Sequence, residues 1–185
     1  MNKKIYILIV ILMIAVTLQA GIRSDTVQWL ERHNLSQEWI VLIISMLPII
    51  ELRGAIPVGI FMFGFSWQKA ALLSVVGNMI PIPFILIFMN GIVNLLRKTK
   101  AGRSFTDWLF KRTRKKSELI EKYETAGLVL FVGIPLPGTG GWTGAFAAYL
   151  FGLKFWKSLL YIFVGVLLAA VAVTFLCQAG VIVMQ

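Results

Sequence analysis

Cysteine and histidine are almost absent from this chain, with one of each, Cys177 and His33, far apart in the sequence. A lone cysteine excludes a disulfide within the chain, and two scattered residues are too few for a zinc centre or for Cys–His nucleophilic catalysis. Charge is scarce as well: 14% of residues are Asp, Glu, Lys or Arg, and only 8 of these are acidic against 18 basic. A membrane enzyme working on lipid phosphates would want a nucleophile and an acid–base group, typically with histidine, near the membrane surface. His33, alone in a polar loop, does not supply that set. The expectation is a protein that is not an enzyme and takes no cofactor and no metal.

What is abundant is apolar sequence. Hydrophobic residues make up 58% of the 185 positions, the mean hydropathy is +0.84, and the apolar residues come in long runs separated by short polar pieces. That pattern predicts an all-α integral membrane protein. The net charge of +10 raises the question of nucleic acid. The basic residues cluster in one segment between hydrophobic runs, however, which reads as a topology signal.

Five regions follow along the chain. Residues 1–22 open with Lys3 and Lys4 and then run apolar from Ile5 to Leu18. This suits a cleaved signal peptide or a tilted first membrane helix; Leu18, only a fair residue three before a cut, favours the retained helix. Residues 22–39 carry two basic and three acidic side chains, with Trp29 and Trp39 placed to anchor them at the outer interface. Residues 39–96 form a first repeat, 97–125 a basic connector, and 126–185 a second repeat.

In the first repeat, the runs Trp39–Ile50 and Ala55–Phe65 are each about 16–18 Å long as helix, half of a hydrocarbon core of about 30 Å. Pro48, Gly54, Pro57 and Gly59 crowd the junction around Glu51 and Arg53, and proline both lacks an N–H and clashes with the preceding turn. The expectation is a re-entrant helical hairpin with its tip near mid-membrane, followed by a crossing over Ala70–Leu96. Residues 97–124 then hold ten basic and four acidic residues, which assigns this connector and the N-terminus to the cytoplasmic side of the cell membrane. A full crossing at 39–65 would put the connector outside; a hairpin restores the parity. Phe105, Trp108 and Leu109 oppose Arg103, Lys111 and Arg112 at helical spacing, the pattern of an amphipathic helix resting on an anionic leaflet.

Moving the chain by 88 residues lays Gly64 on Gly152, Lys69 on Lys157, Leu72 on Leu160, Val76 on Val164 and Gly77 on Gly165. The order of short run, break, short run, corner and crossing is repeated. One crossing separates the copies, so they are expected to be inverted, with two opposed hairpins meeting where secondary transporters build a site that faces either side in turn.

An ionised side chain in the bilayer core is costly, so Glu51 and Arg53 should be buried in protein, paired, or facing a water-filled cavity. A purely structural pair is one reading. The functional one makes Arg53 and the half-helix starts attractive to an anionic headgroup, and Glu51 a carboxylate that exchanges a proton between access states. At the second tip, Pro135, Pro137, Gly138, Gly140 and Gly141 hold the backbone open, Thr139 and Thr143 offer hydroxyls as caps or ligands, and Trp142 opens the next run. Its GTGG stretch lacks the ending and the flanking strand of a nucleotide loop. Asn78, in a run with Pro81 and Pro83, is a further candidate facing the cavity. Asn90, Asn94 and Gln178 read as inter-helix hydrogen bonders.

The stretches ELRGAIPVGI (51–60) and PLPGTGGWTGAFAAYLFG (135–152) resemble the two signature stretches of the small multidrug-export protein family. The two opposed hairpins with Pro/Gly breaks and an acid in the first are similar, more distantly, to the DedA/VTT membrane-protein superfamily. The latter resemblance implies a proton-linked transporter or scramblase of lipids, some of them polyprenyl phosphates, with Glu51 and Arg53 matching its acidic and basic first hairpin. This chain departs from that pattern in having no arginine between Gly138 and Gly144, so a two-arginine phosphate clamp does not carry over. The expected partners are membrane lipids, a small amphipathic substrate, protons and a second copy of the chain, with no nucleic acid. A proton-coupled carrier of an anionic lipid is the favoured activity, ahead of an exporter of lipophilic cations and a non-transporting scaffold.

Overall fold

A computed structural model describes residues 26–33, 35–100, 102–104, 106–107, 126–134 and 139–184. The expected N-terminal helix over 1–22 lies outside the described residues, as do most of the connector and Pro135, Pro137 and Gly138.

Every regular element among the described residues is helical. They are α1 (26–32), α2 (Gln37–Met46), α3 (Glu51–Pro57), a π-helical stretch Val58–Met62, α4 (Trp67–Met79), α5 (Pro81–Leu96), α6 (126–133), α7 (Gly141–Leu150) and α8 (Phe155–Met184). Trp67–Met89 and Phe155–Gly180 are long and apolar enough to cross a bilayer, with mean hydropathies of 2.2 and 2.7. Only a helix satisfies its own backbone in lipid, which is why such sequence has no other regular choice.

Proline sets the boundaries. Leu47, held at φ −74° and ψ 134°, precedes Pro48, whose ring pushes the residue before it out of the helical region; α2 therefore stops at Met46. Pro81 removes one donor between α4 and α5, yet Ile80 keeps helical dihedrals of −55° and −49°, so the crossing passes through the proline pair. The second half-run starts at Glu51 rather than at the expected Ala55, because the turn at 48–50 already supplies the bonds Glu51 N–H to Leu47 O at 2.9 Å and Gly54 N–H to Ile50 O at 3.1 Å. The first crossing likewise begins at Trp67, three residues before the expected Ala70, and the last begins at Phe155.

The chain divides into two compact units, one holding residues up to Asn78 and the stretch from Ala169, the other holding 79–134 and 139–168. In the first, α2 packs on α3 through Ile40, Val41 and Ile44, joined by Val27 and Leu30 of α1 and by Ile50, Ala55 and Val58. Positions 40, 41 and 44 share one face of α2. In lipid such a face is held by close packing more than by exclusion of water. The same physics leaves Leu72, Val76, Leu160 and Val164 exposed on the crossings without cost, since hydrocarbon is their solvent.

Elements at the 88-residue offset share several details. Gly64 and Gly152 turn the corner before a crossing with left-handed φ of 64° and 72°, and the crossings start at Trp67 and Phe155. Positions 70, 74, 77 and 78 of α4 are buried, as are 158, 162, 165 and 166 of α8. At Gly77 an added Cβ would run into Ser45 Oγ and the Leu42 carbonyl of α2, within the first unit. At Gly165, within the second, it would lie 2.6 Å from Val132 Cβ and 2.9 Å from the Val129 carbonyl of α6. At each of these glycines a shorter helix, α2 or α6, comes close backbone to backbone, as small residues allow between membrane helices.

Candidate functional site

The break between α2 and α3 carries the unusual chemistry. Glu51 is only 5% exposed, a burial that carboxylates avoid unless something compensates the charge. Its backbone sits at φ 49°, the left-handed region where an L side chain crowds its carbonyl at a cost of roughly 1–2 kcal/mol. Among the described residues it is the one non-glycine with positive φ. Strain of this kind persists where the surroundings over-determine it, and such places cluster at functional sites.

Two residues on, Arg53 is half-buried, and the charges of Glu51 and Arg53 interact. The residue before α3, Ile50, offers no capping side chain, and Glu51 opens the helix. Gly54 is buried directly after the pair. Pro57 ends the ordinary helix: it has no N–H for the carbonyl four residues back. The Val58 N–H then reaches Ala55 O and Gly54 O, and the backbone widens into the π stretch, closed by Phe63 N–H to Val58 O at 3.2 Å. π turns of this kind occur often at functional sites.

Asn78 is fully buried on α4, where its Nδ2 donates to the Ser45 carbonyl at 3.4 Å, near the end of α2. It thereby ties the crossing to the last turn before the break. Asn78 Oδ1 and Ser74 Oγ, one turn apart on the same face, are buried with no hydrogen-bond partner among the described residues. Ser45 and Ser74, both fully buried, are polar groups that reasoning from composition passed over. Their signal was the i, i+4 pairing of Ser74 with Asn78 and the glycine at 77 that brings Ser45 close.

Between the start of α2 and the start of α4, Lys69 Nζ lies 2.6 Å from Glu38 Oε1 and 4.0 Å from the centre of the Phe65 ring. The hydrogen bond from Lys69, helped by hydrogen bonds from the Glu38 backbone and Ser36, holds the Glu38 carboxyl down at about 2. The offset places Ala126 where Glu38 would be, so the repeat does not carry this acid to the position matching Glu38.

The second break is built from backbone. Gly140 stands at φ 149° and ψ −167°, a conformation essentially reserved for glycine, and α7 begins at the buried Gly141. Thr139 Oγ1 donates to the Ile134 carbonyl at 2.8 Å, and Thr143 Oγ1 to the Gly140 carbonyl at 3.3 Å. Both hydroxyl protons thus go to main-chain carbonyls, and no side chain caps α7. Trp142 is half-buried one residue into the helix. The sequence candidates therefore fall into a group in the first unit (Glu51, Arg53, Gly54, Pro57 and Asn78) and a group in the second (Thr139, Gly140, Gly141, Trp142 and Thr143).

No curated protein and no solved structure matches this chain. A family model does: the family described as "Putative small multi-drug export protein" matches residues 51–172. The match opens on Glu51 at the end of the first break, takes in the second break and ends within α8, and it covers well over half of the sequence. The chain belongs to the small multi-drug export protein family.

Proposed function

We propose that this protein is a proton-linked exporter of small amphipathic compounds, in which Glu51 is the group that alternately carries a proton and faces the substrate. The observation that carries the reading is the burial of Glu51 on a left-handed backbone, at a helix break inside an apolar segment. An ionised group at bilayer depth costs at least about 2.5–3.5 kcal/mol. A site that holds one there gains from making it titratable, since burial favours the neutral acid while Arg53 and a cationic substrate favour the carboxylate. The family name supports export.

The transport geometry belongs to the same proposal. The first hairpin enters from the outer side and the second, after the basic connector, from the cytoplasm of the cell membrane. The shared element order, the two left-handed glycine corners and the two glycine crossings support reading the chain as two copies, and the odd number of crossings between them supports their inversion. A small amphipathic cation fits a buried carboxylate best. A DedA-like handling of anionic lipids is the second reading, favoured by the half-buried guanidinium of Arg53.

Purified protein in liposomes with an imposed pH gradient tests this. A fluorescent lipophilic cation should accumulate against its gradient with the native chain and not with Glu51→Gln, while Arg53→Ala keeps partial flux. Movement of a labelled anionic lipid that stops in Arg53→Ala and persists in Glu51→Gln would install the second reading. Equal flux of both in all three proteins, at matched folding, would leave a non-transporting scaffold.

A further inference from the structure

At the end of α5, inside the second unit, an open surface pocket of about 440 Å³ is lined by Asn94, Arg97, Lys98 and Arg103. We propose that it holds the phosphate of an anionic phospholipid whose chain lies along the exposed face of α5.

The charges come first. Three cations line the pocket, and Asp107 Oδ1 lies 2.6 Å from Arg97 Nη2. Among the described residues, one carboxylate against three cations leaves the surroundings cationic. The arginines are also held in place: Arg97 is fixed by Asp107, and Arg103 Nε points at the Arg97 carbonyl at 3.4 Å. Thr99 steadies the turn between them by accepting the Gly102 N–H at 3.0 Å. Arginine forks fixed beforehand lose less freedom on meeting a phosphate than lysines on a bare surface do.

The apolar face comes second. Walking back along α5 from Lys98, Leu95 is 64% exposed, Phe88 61% and Phe84 57%, and Gly91 between them has open space around it. Positions 84, 88, 91 and 95 recur at helical spacing, so they make one continuous stripe, which runs into the cationic pocket. The eleven helical steps from Phe84 to Leu95 cover about 16 Å, close to half of a hydrocarbon core of about 30 Å. A stripe one leaflet deep, ending in a cluster of cations, has the layout of a single anionic phospholipid. A free phosphate would use the pocket and ignore the stripe. The inference needs only that α5 ends at a headgroup layer, so it stands apart from the transport reading.

The test uses the full-length protein in phosphatidylcholine nanodiscs containing a minor fraction of phosphatidylglycerol, with bound lipids counted by native mass spectrometry. The native chain should retain phosphatidylglycerol selectively. Lys98→Gln and Arg103→Gln should each weaken retention about fivefold, as expected for the loss of one cation near a phosphate. Lys154→Gln combined with Lys157→Gln, which removes charge elsewhere, should change nothing, and excess inorganic phosphate should not displace the lipid. Should Arg103→Gln fold poorly, the exposed Lys98→Gln reads the same quantity. Undiminished retention in the pocket variants, an equal loss in the Lys154/Lys157 control, equal retention of phosphatidylcholine, or displacement by inorganic phosphate would each overturn the proposal.

Discussion

Replacing Glu51 by glycine and by alanine separates its backbone from its charge. Both changes delete the carboxylate, so the difference between them reads the main chain alone. In an ordinary helix, glycine is less stable than alanine by about 1 kcal/mol. At φ 49° the balance is different. Alanine would bear the left-handed strain of roughly 1–2 kcal/mol that glycine escapes, while glycine gives up about 0.4–1 kcal/mol through the greater freedom of its unfolded chain. Glu51→Gly should therefore exceed Glu51→Ala by about 1 kcal/mol, or about 2–4 °C in the melting midpoint for a chain of this length. The assay is thermal unfolding of the detergent-purified variants, with the exposed Leu72→Gly and Leu72→Ala as the ordinary helical pair. The order should reverse between the two sites. An alanine variant as stable as the glycine variant at position 51, or more so, would refute the strained backbone and with it the structural basis for treating this residue as special.

Gly77→Ala should destabilise by about 1–3 kcal/mol as α4 is forced off α2, whereas Gly91→Ala, with open space around it, should be neutral or slightly stabilising in the same melting experiment. Gly64→Ala and Gly152→Ala should cost the same, about 1 kcal/mol each, because both corners need a left-handed residue; clearly unequal losses would break the correspondence between the two corners. Glu38 is held at about 2 against an ordinary 4.5, a lowered value, so its contribution to stability is present above pH 4.5 and is lost as the pH falls toward 2. Glu38→Gln should flatten that acid limb in a pH series of unfolding midpoints, as should Lys69→Met.

The break at Pro48 and the crossings were legible because proline chemistry and long apolar runs act locally. Leu47 leaves the helix simply because a proline ring follows it, and α4–α5 and α8 follow from hydropathy. The 88-residue offset was visible as a few identities, and its structural counterpart is sharpest at glycines, where absence of a side chain is the signal. Less legible was the helix start at Glu51. Counting apolar residues placed it at Ala55, but the turn at 48–50 already delivers helical hydrogen bonds to a charged residue. The π stretch was hidden for a related reason: it answers to Pro57 and to the approach of Gly59 to Ala70, whose Cβ would be 2.9 Å from an added one, and that contact is tertiary. Glu51 and Arg53 stood out as ions in greasy sequence. Ser74, Ser45 and the Lys69–Glu38 pair did not, since which small polar groups become buried depends on which faces meet.

The wide turn at Val58–Met62 gives the stretch after Glu51 one residue of slack. An ordinary helical turn would house one residue fewer, so a chain shortened by one there could still close its hydrogen bonds and leave the segments on either side facing as they do. A deletion in the ordinary turns of α3 would instead turn everything upstream by about 100° about the helix axis relative to α4, carrying the acid at position 51 to another side. Indels should therefore be tolerated within the wide turn and rare just before it.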